Sequence, residues 1–171
     1  MSVASDAGPL IALSKLQHLH LLPTLYEEVL IPSPVYDEVV TRGAAAGHVN
    51  VSAVEQALAR AEITVVDTRR DVLLPALGAL PLGQGELHAI HLALQRGSDW
   101  VLMDDAQARE AASTFGLRVK GTLGILVQAF RAGLLTAAQR DSLFQTILDR
   151  DDIWLDHGLV RRIWAELRHG G

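Results

Sequence analysis

The stretch Trp100-Val101-Leu102-Met103-Asp104-Asp105 joins a short apolar run to two carboxylates, and it decides how the rest of the chain is interpreted. An apolar run of this length that ends at polar residues is typical of a strand buried on both faces. Further runs have the same form, the last of them the weakest: Val3-Ala4-Ser5, Val29-Leu30-Ile31, Ile63-Thr64-Val65-Val66 and Leu117-Arg118-Val119. The sequence therefore predicts five short strands.

Segments with helical spacing of apolar residues separate these strands. One helix is predicted just after Pro34, and another from Gly85 to Gln95, followed by Gly97, a residue type favoured at helix ends. Further apolar stripes predict helices over residues 108–115 and 123–130. Strands that alternate with short crossover helices predict an α/β fold with a central, mainly parallel sheet.

After Gly133 the pattern changes to helix followed by helix. Thr136 and Gln139 have the spacing of a capping box, and residues 159–167 form an amphipathic stripe. We predict a domain of residues 1–134 and a C-terminal helical extension, residues 135–171, packed on the same domain.

Composition excludes several classes of site. The chain has 171 residues, 49% of them hydrophobic, and no Cys, so a core can form without disulfides, and thiolate zinc or iron-sulfur sites are excluded. A net charge of -5 excludes a protein that coats duplex nucleic acid by charge alone. No apolar run is long enough to span a membrane and no secretory signal is recognised, so we expect a cytoplasmic protein without membrane contact.

Acidic residues follow the strand candidates at the places where ligands of parallel sheets bind. Asp6 follows the first strand, and Asp104 and Asp105 follow the fourth, while Glu38 and Glu86 lie on later helices. Each acid alone has an ordinary explanation, because an Asp N-cap contributes about 1 kcal/mol and a solvated Glu on a helix needs no further role.

Taken together, these acids can converge on one crevice. Carboxylates held close together would repel one another and raise their own pKa values unless a cation neutralised them. Mg2+ fits such a site because it accepts a few carboxylates and keeps waters and phosphate oxygens as ligands. The site could then activate water for attack on a phosphodiester, with one or two ions.

Candidate phosphate contacts near the acidic strand end are Arg109, Arg118 and Lys120, for which an ordinary solvated surface is the alternative. His88 and His91 are interpreted as packed or surface histidines.

Five segments, in order along the chain, resemble the PIN-domain nucleases, and among them the VapC-like toxin branch. They are Ser5-Asp6-Ala7-Gly8-Pro9-Leu10-Ile11-Ala12-Leu13, Ile31-Pro32 with Val35-Tyr36-Asp37-Glu38-Val39, Leu82-Gly83-Gln84-Gly85-Glu86 with Ala89-Ile90, Leu102-Met103-Asp104-Asp105 with Arg109, and Gly121-Thr122-Leu123-Gly124. The resemblance runs from about Ser5 to Leu134.

The resemblance implies a three-layer α/β/α sandwich and a metal-dependent endoribonuclease that cuts single-stranded RNA with one or two Mg2+ or Mn2+ ions. It carries over a catalytic role to four acids by position: Asp6 after the first strand, Glu38 on a helix, Glu86 opening a later helix and Asp105 after the fourth strand. Asp6, Glu86 and Asp105 would hold the ions, Asp104 would share or replace the role of Asp105, and Glu38 would hold or orient a water.

The same resemblance suggests the toxin of a type II toxin-antitoxin pair, inhibited by a small antitoxin and forming a homodimer. Two positions depart from the family pattern: Gly8 stands where many relatives carry a small hydroxyl residue, and Phe130 where this branch often has a basic one. Two alternatives stay open, a non-catalytic binding module of the same fold and a DNA-directed nuclease.

Overall fold

Five short strands form one parallel sheet with the order β3-β2-β1-β4-β5. The computed structural model describes residues 1–47 and 51–169. The strands are β1 (Ser2–Ser5), β2 (Glu28–Pro32), β3 (Thr64–Val66), β4 (Trp100–Leu102) and β5 (Val119–Lys120). Because all of them run in the same direction, their carboxyl ends meet at one edge of the sheet.

Helices connect and follow the strands. They are α1 (Ala7–Lys15), α2 (Leu21–Leu25), α3 (Ser33–Tyr36), a π-helix (Asp37–Arg42), α4 (Gly43–Ala45), α5 (Val51–Ala59), α6 (Pro75–Gly78), α7 (Gln84–Arg96), α8 (Ala106–Thr114), α9 (Thr122–Arg131), α10 (Ala137–Asp149) and α11 (His157–His169). None of the helices in the described ranges combines the length and the apolar character that a bilayer crossing requires.

The chain divides into two compact units, Met1–Thr122 and Leu123–Gly171. In the first unit, the register pairs Ala4 with Leu30, and both side chains pack with Val101 and with buried residues of α7 and α8. Side chains that point to the opposite face of the sheet, such as Val3, are fully buried as well, so both faces of the sheet are covered. The predicted three-layer α/β/α arrangement is confirmed.

The second unit contains the helical tail. α10 begins at the predicted capping box, in which Thr136 accepts the Gln139 N–H and the Gln139 side chain accepts the Thr136 N–H. The boundary predicted at residue 134 lies between α9 and α10, whereas the division of the chain into two compact units falls after Thr122. How the tail packs on the rest of the chain stays a prediction.

Two predicted elements differ from the structure. The fifth strand was expected over residues 117–119 but occupies Val119–Lys120, because these residues pair with Val101 and Leu102. The helix expected after Pro34 is α-helical only to Tyr36 and continues as the π-helix. A π-helix bonds each N–H to the carbonyl five residues back, and its apolar spacing differs too little from that of an α-helix to be recognised in so short a segment.

Candidate active site

The first acid is fixed by its own helix. β1 ends at Ser5, and Asp6 is the N-cap of α1, where its Oδ1 accepts the Gly8 N–H at 3.0 Å. The Asp6 N–H donates to the Leu102 carbonyl at 3.0 Å, which ties the end of β1 to β4. The Asp6 side chain is buried, with 4% of the residue exposed. Sequence and backbone together therefore place one carboxylate at the carboxyl edge of the sheet.

Asp104 lies beside Asp6. A Cβ atom built on Gly8 would lie 3.4 Å from Asp6 Oδ1 and 3.4 Å from Asp104 Oδ2. The Asp104 carboxylate is held by Thr122, whose N–H donates to Oδ1 at 2.7 Å and whose hydroxyl donates to Oδ2 at 2.6 Å. The two carboxylates therefore flank one small space over Gly8.

Glu38 and Glu86 lie on helices that follow β2 and β3 along the chain. Glu38 lies on the π-helix, and its Oε2 is 3.2 Å from the position that a Cβ of Gly85 would take. Glu86 lies in the first turn of α7, and its Oε2 accepts the Gly83 N–H at 2.8 Å. Because Gly85 has no side chain, Glu38 can approach the start of α7 closely.

The charges of these acids act on one another. Burial raises the pKa of the Asp6 carboxyl well above its usual range, and the charges of Asp104, Glu86 and Glu38 raise it further, against the Gly8 hydrogen bond, which lowers it. The charges of these three carboxylates thus act on Asp6, and Asp104 is the one that flanks the same space over Gly8. The structure thus brings together four of the five predicted acids.

Two further pKa shifts have the same origin. Burial raises the pKa of Asp104, against the hydrogen bonds from Thr122 and the charge of Arg109, which lower it. Burial also raises the pKa of Glu38, and the charge of Glu86 adds to this effect, while Arg42 opposes it. Burial thus disfavours the charged forms of Asp6, Asp104 and Glu38, and a bound cation would offset this effect.

Asp105 has a different place. It is the N-cap of α8, is exposed, and its Oδ1 accepts the N–H groups of Gln107 and Ala108, both at 2.9 Å. The metal-binding role predicted for an acid after the fourth strand therefore fits the position of Asp104. The carboxylate of Asp105 instead caps α8.

The three predicted phosphate contacts lie in two places. Arg109 Nη1 donates to the Met103 carbonyl at 3.2 Å, at the end of β4 and next to Asp104. Arg118 and Lys120 instead lie over the Trp100 ring, at 4.8 and 4.2 Å from its centroid. Only Arg109 of the three is placed at the acids.

Sequence reasoning assigned no role to Thr122, which orients Asp104. Its signal was present, since Thr122 follows the end of β5 with one residue between, just as Asp104 follows the end of β4. The histidines are packed, as predicted: His88 is 7% exposed with Nδ1 2.9 Å from Thr68 Oγ1, and His91 Nε2 lies 3.2 Å from Asp71 Oδ2.

The donor set fits a hard divalent cation. In residues 1–47 and 51–169, no three carboxylate or imidazole groups gather closely enough to form a ready-made three-ligand site. Mg2+ does not require one, because it is usually held by one or two carboxylates and completes its shell with waters and phosphate oxygens. The buried Asp6 and the half-buried Asp104 repel each other across the small space over Gly8, and this arrangement suits such an ion.

Comparison with known families agrees with this geometry. The family model described as the PIN domain matches residues 2–169. The chain belongs to the PIN-domain family. PIN domains are generally nucleases and typically use divalent metal ions, so nuclease chemistry is the general expectation for this PIN domain.

A solved structure supports the fold of this PIN domain. It is a PilT N-terminus domain protein from the hyperthermophilic archaeon Sulfolobus solfataricus P2, 15% identical, with a TM-score of 0.56, covering 75% of this chain and 93% of that chain. At this identity the likeness shows the fold alone. No curated protein matches the chain significantly.

Proposed function

We propose that this PIN domain is a metal-dependent endoribonuclease that hydrolyses single-stranded RNA phosphodiesters. The observation that carries the proposal is the pair of carboxylates, the buried Asp6 and the half-buried Asp104, on either side of the space over Gly8. Glu38 and Glu86 add negative charge to the same site. Buried, mutually repelling carboxylates are costly for a fold unless they bind a cation.

Each acid has a role that its contacts support. Asp6 and Asp104 would hold the ion, because both are fixed by backbone hydrogen bonds and lie at the same space. Glu86 has one oxygen engaged with Gly83 and would bind through the other or orient a ligand water. Glu38, on the π-helix beside Gly85, would orient the attacking water and accept its proton.

A bound Mg2+ or Mn2+ supplies a charge that neutralises the carboxylates and the phosphate and lowers the pKa of water. In the reaction, the water oxygen forms a bond to phosphorus and one phosphorus–oxygen ester bond breaks. The proton released by the water goes to a carboxylate, and the leaving oxygen is protonated. The products are a phosphomonoester and a free hydroxyl.

The biological setting is part of the same proposal. The resemblance to VapC-like proteins supports a cytoplasmic toxin that forms a homodimer and is inhibited by a small antitoxin. Growth arrest on expression of the wild type, but not of Asp6→Asn, would support the toxin role, and light scattering would give the oligomeric state.

Cleavage of labelled single-stranded RNA with Mg2+ or Mn2+ tests the activity, with Asp104→Asn and Asp105→Asn as matched variants. Asp104→Asn should lower kcat/KM about 100-fold or more, since it removes a ligand of the ion. Asp105→Asn keeps an N-cap residue and should retain wild-type activity. Equal activity of wild type and Asp104→Asn would refute the proposed mechanism.

A non-catalytic binding module is the second candidate, and the caps formed by Asp105 and Glu86 favour it. A module whose acids serve only as caps would gain no thermal stability from millimolar Mn2+ and would cut neither RNA nor DNA. A DNA strand of the same sequence as the RNA separates the third possibility, a DNA-directed nuclease.

A further inference from the structure

A narrow slot lies between a cation and an anion at the end of β5. A Cβ atom built on Gly121 would lie 2.7 Å from Arg109 Nη1, 2.7 Å from Asp104 Oδ1 and 3.3 Å from the Met103 carbonyl oxygen. Only glycine leaves this space open, because real Cβ atoms do not approach other heavy atoms to 2.7 Å. We refer to the space bounded by Arg109 Nη1, Asp104 Oδ1 and the Gly121 backbone as the Gly121 slot.

Arg109 is held in place at this slot. It lies in the first turns of α8, where its N–H donates to the Asp105 carbonyl at 3.0 Å, and its side chain is partly buried. The Nη1 group donates to the Met103 carbonyl at 3.2 Å. A guanidinium carries five N–H donors in a planar fork, so this bond to Met103 leaves donors for a further acceptor.

We infer that Arg109 binds a non-bridging oxygen of the phosphate to be cleaved, beside the Gly121 slot, through guanidinium N–H groups other than the one bonded to Met103. This inference rests on the proposed function, in which the substrate is a phosphodiester. Four carboxylates would repel a phosphate, and Arg109 is the cation that the structure places next to Asp104. Guanidinium groups bind phosphate oxygens through charge-assisted hydrogen bonds, so Arg109 offsets this repulsion where the substrate must approach.

Arg118 and Lys120 do not carry the same argument. Arg118 donates to the Asp99 carbonyl at 3.0 Å and lies 3.4 Å from the Asp99 carboxylate, just before β4 begins, so it is engaged at the edge of the sheet opposite to the acids. Lys120 lies over the rings of Trp100 and Tyr26. Arg109 is thus the one of the three predicted cations whose surroundings suit a phosphate at the acids.

Binding of fluorescein-labelled single-stranded RNA in EDTA, measured by anisotropy over a range of salt concentrations, tests the inference without cleavage. Each phosphate contact on a single strand contributes about 0.7 to the slope of log K against log salt. Arg109→Gln should lower the slope by about 0.7 and weaken binding about tenfold or more, since a hydrogen bond to a charged group is lost. Arg109→Lys should retain the slope because it retains the charge.

Two further variants separate this role from a structural one. Arg60→Gln removes an exposed arginine that pairs with Glu62 and should leave the slope unchanged. Gly121→Ala fills the slot and should lose binding as Arg109→Gln does, with the folded state checked by circular dichroism. In cleavage assays with Mn2+, Arg109→Gln should act mainly by raising KM, as expected when a substrate contact is lost.

The outcomes for the slot and for the activity are distinct. If the wild type binds RNA and Arg109→Gln has the same slope and the same KM, the inference is overturned, even if Arg109→Gln has a lower melting temperature. If the wild type cuts no RNA but Arg109→Gln loses one phosphate contact, Arg109 is a phosphate contact of a binding module and the proposed activity fails.

Discussion

Thr122 donates two hydrogen bonds to Asp104, one from its backbone at 2.7 Å and one from its hydroxyl at 2.6 Å. These bonds orient both carboxylate oxygens and oppose the rise in the pKa of Asp104 that burial causes. Thr122→Val should therefore weaken Mn2+ binding about tenfold or more, as is usual when a residue that orients a ligand is lost. Isothermal titration with Mn2+ measures the effect. Thr122→Ser keeps the hydroxyl and should bind Mn2+ like the wild type, and a Ser variant as weak as the Val variant would show that the hydroxyl is not responsible.

Asp6 makes stability depend on pH when no divalent cation is bound. The pKa of Asp6 is higher in the folded than in the unfolded chain, chiefly because of burial, so the folded state holds the proton more tightly. The protein is therefore most stable below the unfolded pKa of Asp6, about 3.9, and it loses this stability as the pH rises through the folded pKa. In EDTA, Asp6→Asn should therefore melt higher than the wild type at pH 7, and the difference should shrink towards pH 4. A difference of about 1 kcal/mol moves the melting temperature by about 2–4 °C.

Mn2+ should reverse this order at pH 7, because an ion that binds only the folded wild type stabilises it by mass action. Asp105→Asn, at an exposed cap, is the matched control and should follow the wild type in both conditions. Wild type and Asp6→Asn with the same melting temperature across this pH range would contradict the interpretation of Asp6 as a strained carboxyl.

Gly8 offers room for a hydroxyl side chain. Its Cβ would lie in ordinary contact with Asp6 and Asp104, at 3.4 Å from an oxygen of each, so Gly8→Ser should fold without displacement. Its hydroxyl can donate to a buried carboxylate, which contributes about 1.5–3 kcal/mol. Gly8→Ala is the control, because it has no hydroxyl and gains only the higher helix propensity of Ala, at most about 1 kcal/mol. Unfolding by urea in EDTA at pH 7 should show Ser more stable than Ala, and the opposite order would mean that the hydroxyl does not reach either acid.

The second unit depends on a buried arginine. Arg140 is 6% exposed, and it donates from Nη1 to the Leu167 carbonyl and from Nε to Asp141, both at 2.9 Å, while Trp164 Nε1 donates to Asp141 at 2.6 Å. Arg140→Ala should destabilise this unit by about 2–3 kcal/mol, because the buried Leu167 carbonyl loses its side-chain partner and Asp141 keeps only Trp164. Urea unfolding followed by tryptophan fluorescence measures this.

The matched control for Arg140 is Arg150→Ala, which removes an exposed arginine paired with Asp152 at 2.8 Å. An exposed pair contributes less than about 1 kcal/mol, so this variant should unfold close to the wild type. Equal losses at the two positions would indicate that burial of Arg140 has no special effect.

The strands and most helices could be predicted because they depend on local patterns. Short apolar runs placed β1, β2 and β4 to within a residue or two, and Gly97 ends α7 in the left-handed conformation, with φ 61°. β5 was displaced because its residues are fixed by pairing with β4, which no local pattern records. The π-helix was missed for a related reason, since it differs from an α-helix by one residue.

The candidate site was predictable in outline and not in detail. That acids at strand ends would meet followed from the parallel sheet, and Asp6 and Asp104 do meet. Which of Asp104 and Asp105 faces Asp6 depends on side-chain directions at the end of β4, and the two adjacent residues have the same chemistry. Thr122 and the slot at Gly121 depend on contacts between distant segments, which a sequence alone does not give.

The π-helix that carries Glu38 makes the number of residues in this segment important for the direction of its side chains. Its wider turn contains one residue more than an α-helical turn would, and each residue rotates the side chains that follow by about 100°. An in-frame loss of one codon here would restore a regular helix and turn Glu38 away from Gly85. Such a deletion product should show an unchanged far-ultraviolet spectrum and no turnover, so length variation in this segment is harmful where substitution at many of its positions is not.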